Sequence, residues 1–251
     1  MAAALEVPRL QLQHLDPAML ARLGVLQGTG ALLPERAVLA LDWPELEAVL
    51  PDHGLPRGVV EIASPPARPL PSSGKPSGHV CLRGGATTIA LAATHAVHAQ
   101  DGTWCAWVTP ADAPSLHAPA LVQAGVDLER LLIVRPSRAA LARTAIKVAS
   151  SGAFDLVVVD AQAGLEGRLA GTKPRSAPKV DGSVIVRKLA LAAEEKGVTS
   201  LVLTNAYESR ETPWPVALRI EVERRPDAIA VRVTKDRRGR AASQHVVRVA
   251  S

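Results

Sequence analysis

The stretch that decides the fold runs from Gly58 to Leu91 and reads GVVEIASPPARPLPSSGKPSGHVCLRGGATTIAL. Val59–Ala63 predicts a buried strand, and a helix is expected to open on Gly84-Gly85-Ala86-Thr87-Thr88. A strand, a glycine turn and a helix N-terminus form the arrangement with which α/β proteins bind nucleotide phosphates. Such a loop also needs a lysine for the β- and γ-phosphates and a Ser or Thr for Mg²⁺. The threonines are present, but Ala86 occupies the lysine position.

The residues between this strand and this helix do not resemble a phosphate loop. Ser64–Ser77 contains five prolines, which exclude a helix and a central strand, so we expect an exposed loop. Lys75 follows Ser72-Ser73-Gly74 and imitates the motif, but Pro76 follows it and no helix begins there. Arg83, just before the glycines, is a second cation that could reach an anion.

Composition narrows the fold and the compartment. The chain has 251 residues, of which 47% are hydrophobic and only 2% aromatic. A core of Val, Leu, Ile and Ala suits parallel strands buried on both faces, and the lack of aromatics disfavours a base-stacking surface. Cys81 and Cys105 have no metal-ligand spacing, and no apolar run reaches the length of a membrane span. We expect a reduced, cytoplasmic compartment.

Units of strand and helix alternate along most of the chain. Helices are expected at Thr87–Gln100, up to Gln123, at Ser137–Ser150 and at Val184–Lys196, and strands at Thr103–Val108, Leu131–Val134, Leu156–Asp160 and Ser200–Thr204. After Ala217 the pattern changes to alternation, which predicts antiparallel strands at Ala217–Glu223, Ala228–Thr234 and His245–Val249. The sequence therefore predicts a doubly wound, mainly parallel α/β sheet that a C-terminal β-meander extends.

Residues 1–50 form a separate N-terminal segment in this prediction, and residues 51–251 form the core domain. A short helix is expected over Ala18–Leu26, capped by Asp16 and Pro17, and another over Pro44–Leu50 after Asp42. The segment is too short to bury an apolar face alone. We expect it to pack on the core domain or to serve as a docking or oligomerisation element.

The positive charge of the chain is concentrated near its C-terminus. Residues 219–251 contain nine basic and four acidic side chains, an excess equal to the net charge of +5 of the whole chain. This excess indicates an acidic partner surface or a polyanion such as DNA. The candidate residues for DNA or partner binding are Arg224, Arg225, Lys235, Arg237, Arg238 and Arg240; a solvated hairpin tip is the alternative interpretation.

Polar residues end two of the predicted parallel strands. Asp160 follows Leu156–Val159, and Asn205 follows Leu201–Thr204. Because ligands bind beyond the carboxyl ends of parallel strands, Asp160 could meet Mg²⁺ and Asn205 could lie beside it. A helix-capping role for Asp160 is an open alternative. The candidate nucleotide site consists of Gly84, Gly85, Thr87, Thr88, Asp160 and Asn205.

The order of these motifs resembles the RecA recombinases over roughly residues 50–240. The resemblance rests on Gly54–Ile62, on Ala86-Thr87-Thr88 as the end of Gly-Lys-Thr-Thr, and on Cys105–Val108, Gly125–Leu128, Leu131–Pro136 and Ser151–Asp160 in register. It implies a RecA-like core. Two departures from the RecA pattern concern catalysis: Ala86 replaces the lysine, and Val108–Asp112 lacks the catalytic glutamate, for which Asp112 is a shorter substitute. The loop that binds DNA in recombinases is also shortened, to Ala206–Pro215.

A RecA-like chain of this length with a degenerate ATP site resembles the ImuA family. That resemblance implies a non-catalytic accessory protein of SOS-induced translesion DNA synthesis, which works with an ImuB-like Y-family adaptor, with RecA and indirectly with an error-prone polymerase. It implies a nucleoid-associated cytoplasmic protein with no cofactor and no membrane partner. Direct DNA binding stays open.

Two further functions are kept as alternatives. One is a divergent RecA paralogue that binds ATP and Mg²⁺ and hydrolyses ATP weakly through Lys75 or Arg83. The other is a DNA-binding recombination mediator that uses the C-terminal basic residues. Trp214, between two prolines, is expected to be an exposed partner contact or a packed loop anchor. His95 and His98 lack a third metal ligand and are expected to be ordinary packing residues.

Overall fold

The fold is described from a computed structural model that covers residues 38–65, 85–162, 165, 182–208, 213–240 and 243–249. The chain divides into two units, Met1–Arg36 and Ala37–Ser251. The predicted helix at Ala18–Leu26, residues 66–77 of the predicted loop, Lys75 and Arg83 lie outside the described residues. The division at residue 50 therefore stays a prediction.

A single mixed sheet organises the described part of the second unit. Its strands are β1 (Gly58–Ser64), β2 (Cys105–Val108), β3 (Leu131–Val134), β4 (Leu156–Asp160), β5 (Thr199–Asn205), β6 (Leu218–Arg224), β7 (Ala228–Asp236) and β8 (His245–Arg248). Their spatial order is β3-β2-β4-β5-β1-β6-β7-β8. The pairs from β3 to β6 are parallel, whereas β6, β7 and β8 pair antiparallel. The predicted parallel sheet with a C-terminal meander is confirmed.

Helices cover both faces of the parallel strands. They are α1 (Pro44–Glu47), α2 (Ala86–His98), α3 (Ala118–Gln123), α4 (Leu141–Ser150) and α5 (Gly182–Lys196), with single 3₁₀ turns at Leu128–Arg130 and Arg138–Ala140. One core cluster lies between the sheet and α2, and the other lies between the sheet and the pair α4 and α5. Because side chains alternate along a strand, Val60 and Ile62 enter the first cluster and Val59 enters the second. No helix of the described residues is long and apolar enough to cross a membrane.

Residues 38–50 pack against the core on the α2 side. Leu41, Leu46 and Leu50 are buried in the same cluster as α2. Trp43 joins them, and its indole N–H donates to the backbone carbonyl of Arg248 at 3.0 Å. This part of the predicted N-terminal segment therefore belongs to the domain core.

Some predicted helix boundaries differ from those of the structure. α1 begins at the predicted Pro44, with Trp43 as its N-cap, but it ends at Glu47 and not at Leu50. Ser137 precedes a 3₁₀ turn and makes no side-chain capping bond, so α4 begins only at Leu141. These boundaries depend on local backbone choices that hydrophobic periodicity does not specify.

Candidate nucleotide site and basic turn

The structure gathers most of the predicted nucleotide-site residues at one edge of the sheet. Strands β4, β5 and β1 are neighbours and parallel, so their carboxyl ends share an edge. Asp160 ends β4, Asn205 ends β5, and Asn205 pairs in register with Ser64 of β1. Gly85 caps α2, the helix that follows β1, while Gly84 lies outside the described residues. Asp160 and Asn205 therefore end neighbouring strands at this edge, and Gly85 begins the helix that follows β1.

The start of α2 is packed against the meander. A Cβ added to Gly85 would lie 2.4 Å from Cγ1 of Val222 and 3.4 Å from Cγ2 of Ile229. Ala86, in the lysine position, has no exposed surface. Only glycine fits where the backbone approaches Val222 this closely with a φ of 30°. The glycine that suggested phosphate binding thus has a packing reason of its own.

The first turn of α2 contacts a cation that the sequence assigned elsewhere. Arg224 ends β6, and its guanidinium donates to Oγ1 of Thr88 at 3.0 Å. Arg224 was predicted to bind DNA or a partner, yet it reaches the candidate nucleotide site. Because it approaches from β6 and not from the helix itself, no motif in the sequence signals this contact.

Asp160 is buried and engaged with its neighbours. Oγ1 of Thr109, which follows β2, donates to Asp160 Oδ2 at 3.3 Å, and the backbone N–H of Gln162 donates to Asp160 Oδ1 at 3.4 Å. Only 6% of Asp160 is exposed. These bonds give Asp160 a local structural role in the turn that leaves β4, which differs from the helix cap of the alternative interpretation.

Asn205 stabilises the turn after β5. Its Oδ1 accepts a hydrogen bond from the backbone N–H of Tyr207 at 3.0 Å. An asparagine that accepts a bond from the amide two residues on is a common turn-forming arrangement. The structure therefore gives a local structural reason for Asn205, as it does for Asp160.

Asp112, the substitute for the missing glutamate, is paired on the surface. Its Oδ2 accepts from Nε of Arg138 at 2.5 Å, and both side chains are at least half exposed. The hydrogen bond from Arg138 lowers the pKa of Asp112. A general base works best with a pKa near the working pH, so this pairing makes Asp112 a poorer base.

Three polar atoms at this edge are buried, and the sequence predicted only one of their residues, Thr87, as part of the site. Ser64 Oγ, Thr87 Oγ1 and Gln162 Nε2 have no hydrogen-bond partner in the described part of the chain. Each follows or precedes an apolar element, at the end of β1, at the start of α2 and after β4. Unpaired buried polar atoms are uncommon and suit a site that takes up water or a ligand. Thr87 was found from the motif at the helix start, whereas the signal for Ser64 and Gln162 is a polar residue at or just after the end of a buried strand.

A cavity of about 270 Å³ lies on the same side of the sheet but beside the meander. Its lining includes Tyr207, which follows β5, and Glu223 and Arg232 of β6 and β7. Gly85, Thr87, Thr88 and Asp160 do not line it. The cavity adjoins the predicted nucleotide site, because Val222, which lines it, packs against Gly85, and Ala206, which also lines it, follows Asn205.

Arg240 of the predicted basic turn is a structural residue. Its two terminal nitrogens donate to the two carboxylate oxygens of Asp52, each at 2.9 Å, and its Nε donates to Asp236 at 2.7 Å. It also donates to the carbonyl of Pro51. The hydrogen bonds to Asp52 and Asp236 raise the pKa of Arg240, and Arg240 lowers the pKa of Asp52. The turn is thereby fastened to the loop that precedes β1.

Other members of the basic set are also engaged. Arg238 forms an ion pair with Asp52 at 3.0 Å, and Lys235 donates to the backbone carbonyl of Trp214. Arg225 and Arg237 are exposed, and their side chains make no hydrogen bond or ion pair with the rest of the described chain. Of the predicted set, these two are the cations available to a partner.

The expectation that Trp214 is an exposed aromatic is wrong. Only 8% of its surface is exposed, and it packs in the core cluster of α4 and α5. Its ring lies against Gly182 at the start of α5, where an added Cβ would meet the ring at 2.9 Å. The flanking prolines hold a loop anchor in place, which was the other interpretation of this residue.

A buried charge in β1 starts a ladder of ion pairs that the sequence did not reveal as a unit. Glu61, 1% exposed, accepts from Oγ1 of Thr204 at 2.8 Å and from Arg219 at 3.2 Å. Arg219 approaches Glu221 at 3.6 Å, and Glu221 also pairs with Arg232. The lone glutamate in the apolar run Val59–Ala63 was the available signal. The ladder crosses from β1 to β7 and ties the meander to the parallel sheet.

His95 and His98 both make hydrogen bonds with backbone groups. A ring nitrogen of His95 contacts the carbonyl of Gly125 at 2.9 Å. His98 lies between the backbone N–H of Asp127 at 3.1 Å and the carbonyl of Arg130 at 3.2 Å. Burial lowers the pKa of His98. The described residues contain no cluster of metal-ligand type.

Comparisons with known proteins agree with this fold. The family model described as the MT3502 N-terminal domain matches residues 68–173. The crystal structure of the RadB recombinase is similar over 84% of this chain and 96% of its own, with 17% sequence identity and a TM-score of 0.55. No curated protein matches. The chain therefore has a RecA-like recombinase fold, and a likeness at this identity shows the fold alone.

Proposed function

We propose that this chain is a non-catalytic RecA-like accessory protein of SOS-induced translesion DNA synthesis. The observation that carries the non-catalytic part is the start of α2. Ala86 stands where the phosphate lysine would be and is fully buried, and Gly85 packs against Val222. A protein that keeps the RecA-like fold but packs apolar side chains where the nucleotide phosphates would lie is suited to binding protein partners and not to hydrolysing ATP.

The charge environment supports the same proposal. Phosphoryl transfer depends on cations at the β- and γ-phosphates and on a group that orients the attacking water, and each is worth orders of magnitude in rate. The described cation that contacts the first turn of α2 is Arg224 of β6, and its guanidinium already donates a hydrogen bond to Thr88. The carboxylate nearest in sequence to the missing glutamate, Asp112, is paired with Arg138.

The biological setting comes from the sequence resemblance to the ImuA family. We propose that the chain acts in the nucleoid-associated cytoplasm, binds an ImuB-like Y-family adaptor and RecA, and through them assists an error-prone polymerase. Arg225 and Arg237 are the described cations of the basic set that remain open to a partner or to DNA. The finer role in translesion synthesis rests on that resemblance and on these exposed groups.

A pull-down with purified partners tests this role. An ImuB-like adaptor and RecA are each incubated with the wild-type chain and with Arg225→Glu/Arg237→Glu. The control is Arg248→Glu, which reverses an exposed charge on β8, outside this basic set and outside α4 and α5. Capture of the adaptor by the wild type, weakened by the first pair and kept by the control, supports the proposal. Failure to capture either partner contradicts it.

A second candidate function, nucleotide binding at the same edge, is favoured by one observation. Ser64, Thr87 and Gln162 carry buried polar atoms without partners, and Arg224 reaches the same helix end. A Mg²⁺-nucleotide could satisfy these atoms. Fluorescent ATP is titrated with and without Mg²⁺, using Arg224→Ala as the variant and Arg225→Ala as its neighbour control. Absence of binding at millimolar nucleotide removes this candidate.

A further inference from the structure

The helical layer made by α4 and α5 has an outer surface that the proposed function does not use. Both helices pack in one core cluster on one face of the sheet, and they contact each other. Their buried positions follow helical spacing and are Leu141, Ala142, Ala145 and Ala149 in α4, and Ile185, Val186, Leu189, Ala192 and Ala193 in α5. The exposed positions of the two helices face away from the sheet, whereas the partly buried Ile146, Val148 and Ala190 pack against the cluster.

An exposed apolar line runs along α5. Val184 is 44% exposed and Leu191 is 60% exposed. Seven residues separate them, which is two helical turns and a rise of about 10 Å, so they lie on one line of the helix. At about 100° per residue, Arg187 falls on one flank of this line and Lys188 on the other. Between Val184 and Leu191 the line is therefore bordered by positive charge on both sides, and Glu194 and Glu195 lie on the same two flanks one turn beyond Leu191.

The neighbouring helix adds two more cations. Arg143 and Lys147 are four residues apart on the outward side of α4, and both are exposed. Side chains at this spacing lie next to each other on a helix surface, where two like charges disfavour the free helix slightly. The sequence of α4, LARTAIKVAS, contains no acidic residue that could neutralise them.

These four cations are unpaired within the described part of the chain. Arg143, Lys147, Arg187 and Lys188 make no hydrogen bond or ion pair with described residues. The acidic residues at the end of α5 do not balance them, because Glu195 pairs with Lys196 at 2.7 Å and Glu194 has a partner of its own. The surface thus combines four free positive charges with two exposed aliphatic side chains.

We propose that this α4–α5 surface binds an acidic amphipathic helix of a partner protein. Aliphatic residues spaced by i and i+7 on the partner would cover Val184 and Leu191, and carboxylates beside them would meet Arg187 and Lys188. Arg143 and Lys147 would steer such a helix towards the surface. A second copy of this chain would present the same cations, and the two copies would repel each other. A phosphate group would contact the cations but would leave the apolar side chains of Val184 and Leu191 exposed to water.

A designed peptide tests this surface directly. The probe is a fluorescein-labelled 18-residue helix with leucines at i, i+4 and i+7 and glutamates on both flanks. The control probe has the same composition with its leucines dispersed around the helix. Fluorescence anisotropy is measured with the full chain at low salt, without nucleotide or other proteins, so the result is independent of the accessory role. We expect saturable binding of the first probe only.

Variants assign the binding to the surface. Leu191→Asn and the pair Arg187→Glu/Lys188→Glu are each expected to weaken binding at least about tenfold, as for central interface residues. Arg225→Glu/Arg237→Glu makes the same charge change elsewhere and is expected to leave binding unchanged. Circular dichroism confirms that each variant is folded, and Lys147→Glu provides a milder reversal on the adjacent helix.

Four results would overturn the proposal. They are absence of saturable binding, equal binding of the two probes, equal loss with the Arg225/Arg237 control, and unchanged binding in folded Leu191→Asn and Arg187→Glu/Lys188→Glu variants. A labelled 20-base-pair duplex is titrated in parallel. If the duplex binds through Arg187 and Lys188 and the acidic peptide does not, the surface is a nucleic-acid site and the proposal is wrong.

Discussion

Two basic regions of this molecule differ in what their charges do. In the C-terminal turn, Arg240 and Arg238 are bound to Asp52, and Arg240 also holds Asp236. On the α4–α5 surface, Arg143, Lys147, Arg187 and Lys188 have no described partner. The number of basic residues in the sequence predicted that the turn binds DNA or a partner, whereas in the structure Arg238 and Arg240 of the turn form ion pairs within the chain. Whether a basic side chain is available to a partner depends on the acidic residues that folding brings near it. Asp52, for example, is 188 positions from Arg240 in the sequence.

The largest expected effect is on the turn, in the variant Arg240→Ala. It removes hydrogen bonds to Asp52 and Asp236 and leaves Asp236, 7% exposed at its side chain, without its guanidinium. Because Arg240 is itself 40% exposed, solvent screens part of the loss, and we expect a decrease of about 1–2 kcal/mol in the free energy of unfolding. Urea unfolding measures it. Arg237→Ala, beside it but unpaired, should stay within about 0.5 kcal/mol of the wild type.

A medium effect on the free energy of unfolding is expected from pH, because Arg240 of the turn binds the ionised carboxylate of Asp52. The hydrogen bond from Arg240 lowers the pKa of Asp52 below its ordinary value, so folding favours the charged form. The stabilisation is complete above the unfolded pKa of about 4 and is lost as pH falls through the lower folded pKa. The stability difference between wild type and Asp52→Asn should therefore be largest near neutral pH and shrink in acid. A difference that grows in acid contradicts this linkage.

The smallest expected effect is on the stability of the other region. Arg187→Glu or Lys188→Glu removes no contact with a described residue, so the free energy of unfolding should change by less than about 0.5 kcal/mol. Equilibrium unfolding under the same conditions as for Arg240→Ala makes the comparison direct. A loss comparable to that of Arg240→Ala would mean that these cations hold the fold and are not free.

Much of the fold was predictable because its signals are local and periodic. The apolar runs of β1, β4 and β5 and the change to alternation after Ala217 predicted the parallel sheet and its meander. The carboxyl-edge position of Asp160 and Asn205 followed from the same rule. The exact bounds of helices did not, since the end of α1 at Glu47 and the 3₁₀ turn after Ser137 depend on tertiary context.

The chemistry of the candidate site was less predictable because it depends on long-range contacts. Arg224 reaches Thr88 across 136 positions, and Trp214 is buried because Gly182 leaves room for its ring. Glu61 stood out in an apolar strand, but its partner Arg219 belongs to β6, 158 positions away. A residue type and its neighbours in sequence cannot specify such pairs, whereas sheet order brings them together.

The central claim, that this RecA-like chain binds partners and does not turn over nucleotide, is tested most directly by ATP hydrolysis. Phosphate release by the purified full chain is measured with Mg²⁺ and single-stranded DNA, beside Asp160→Ala checked for folding. We predict a rate equal to the protein-free control for both proteins. A Mg²⁺-dependent rate that Asp160→Ala abolishes while remaining folded would contradict the account.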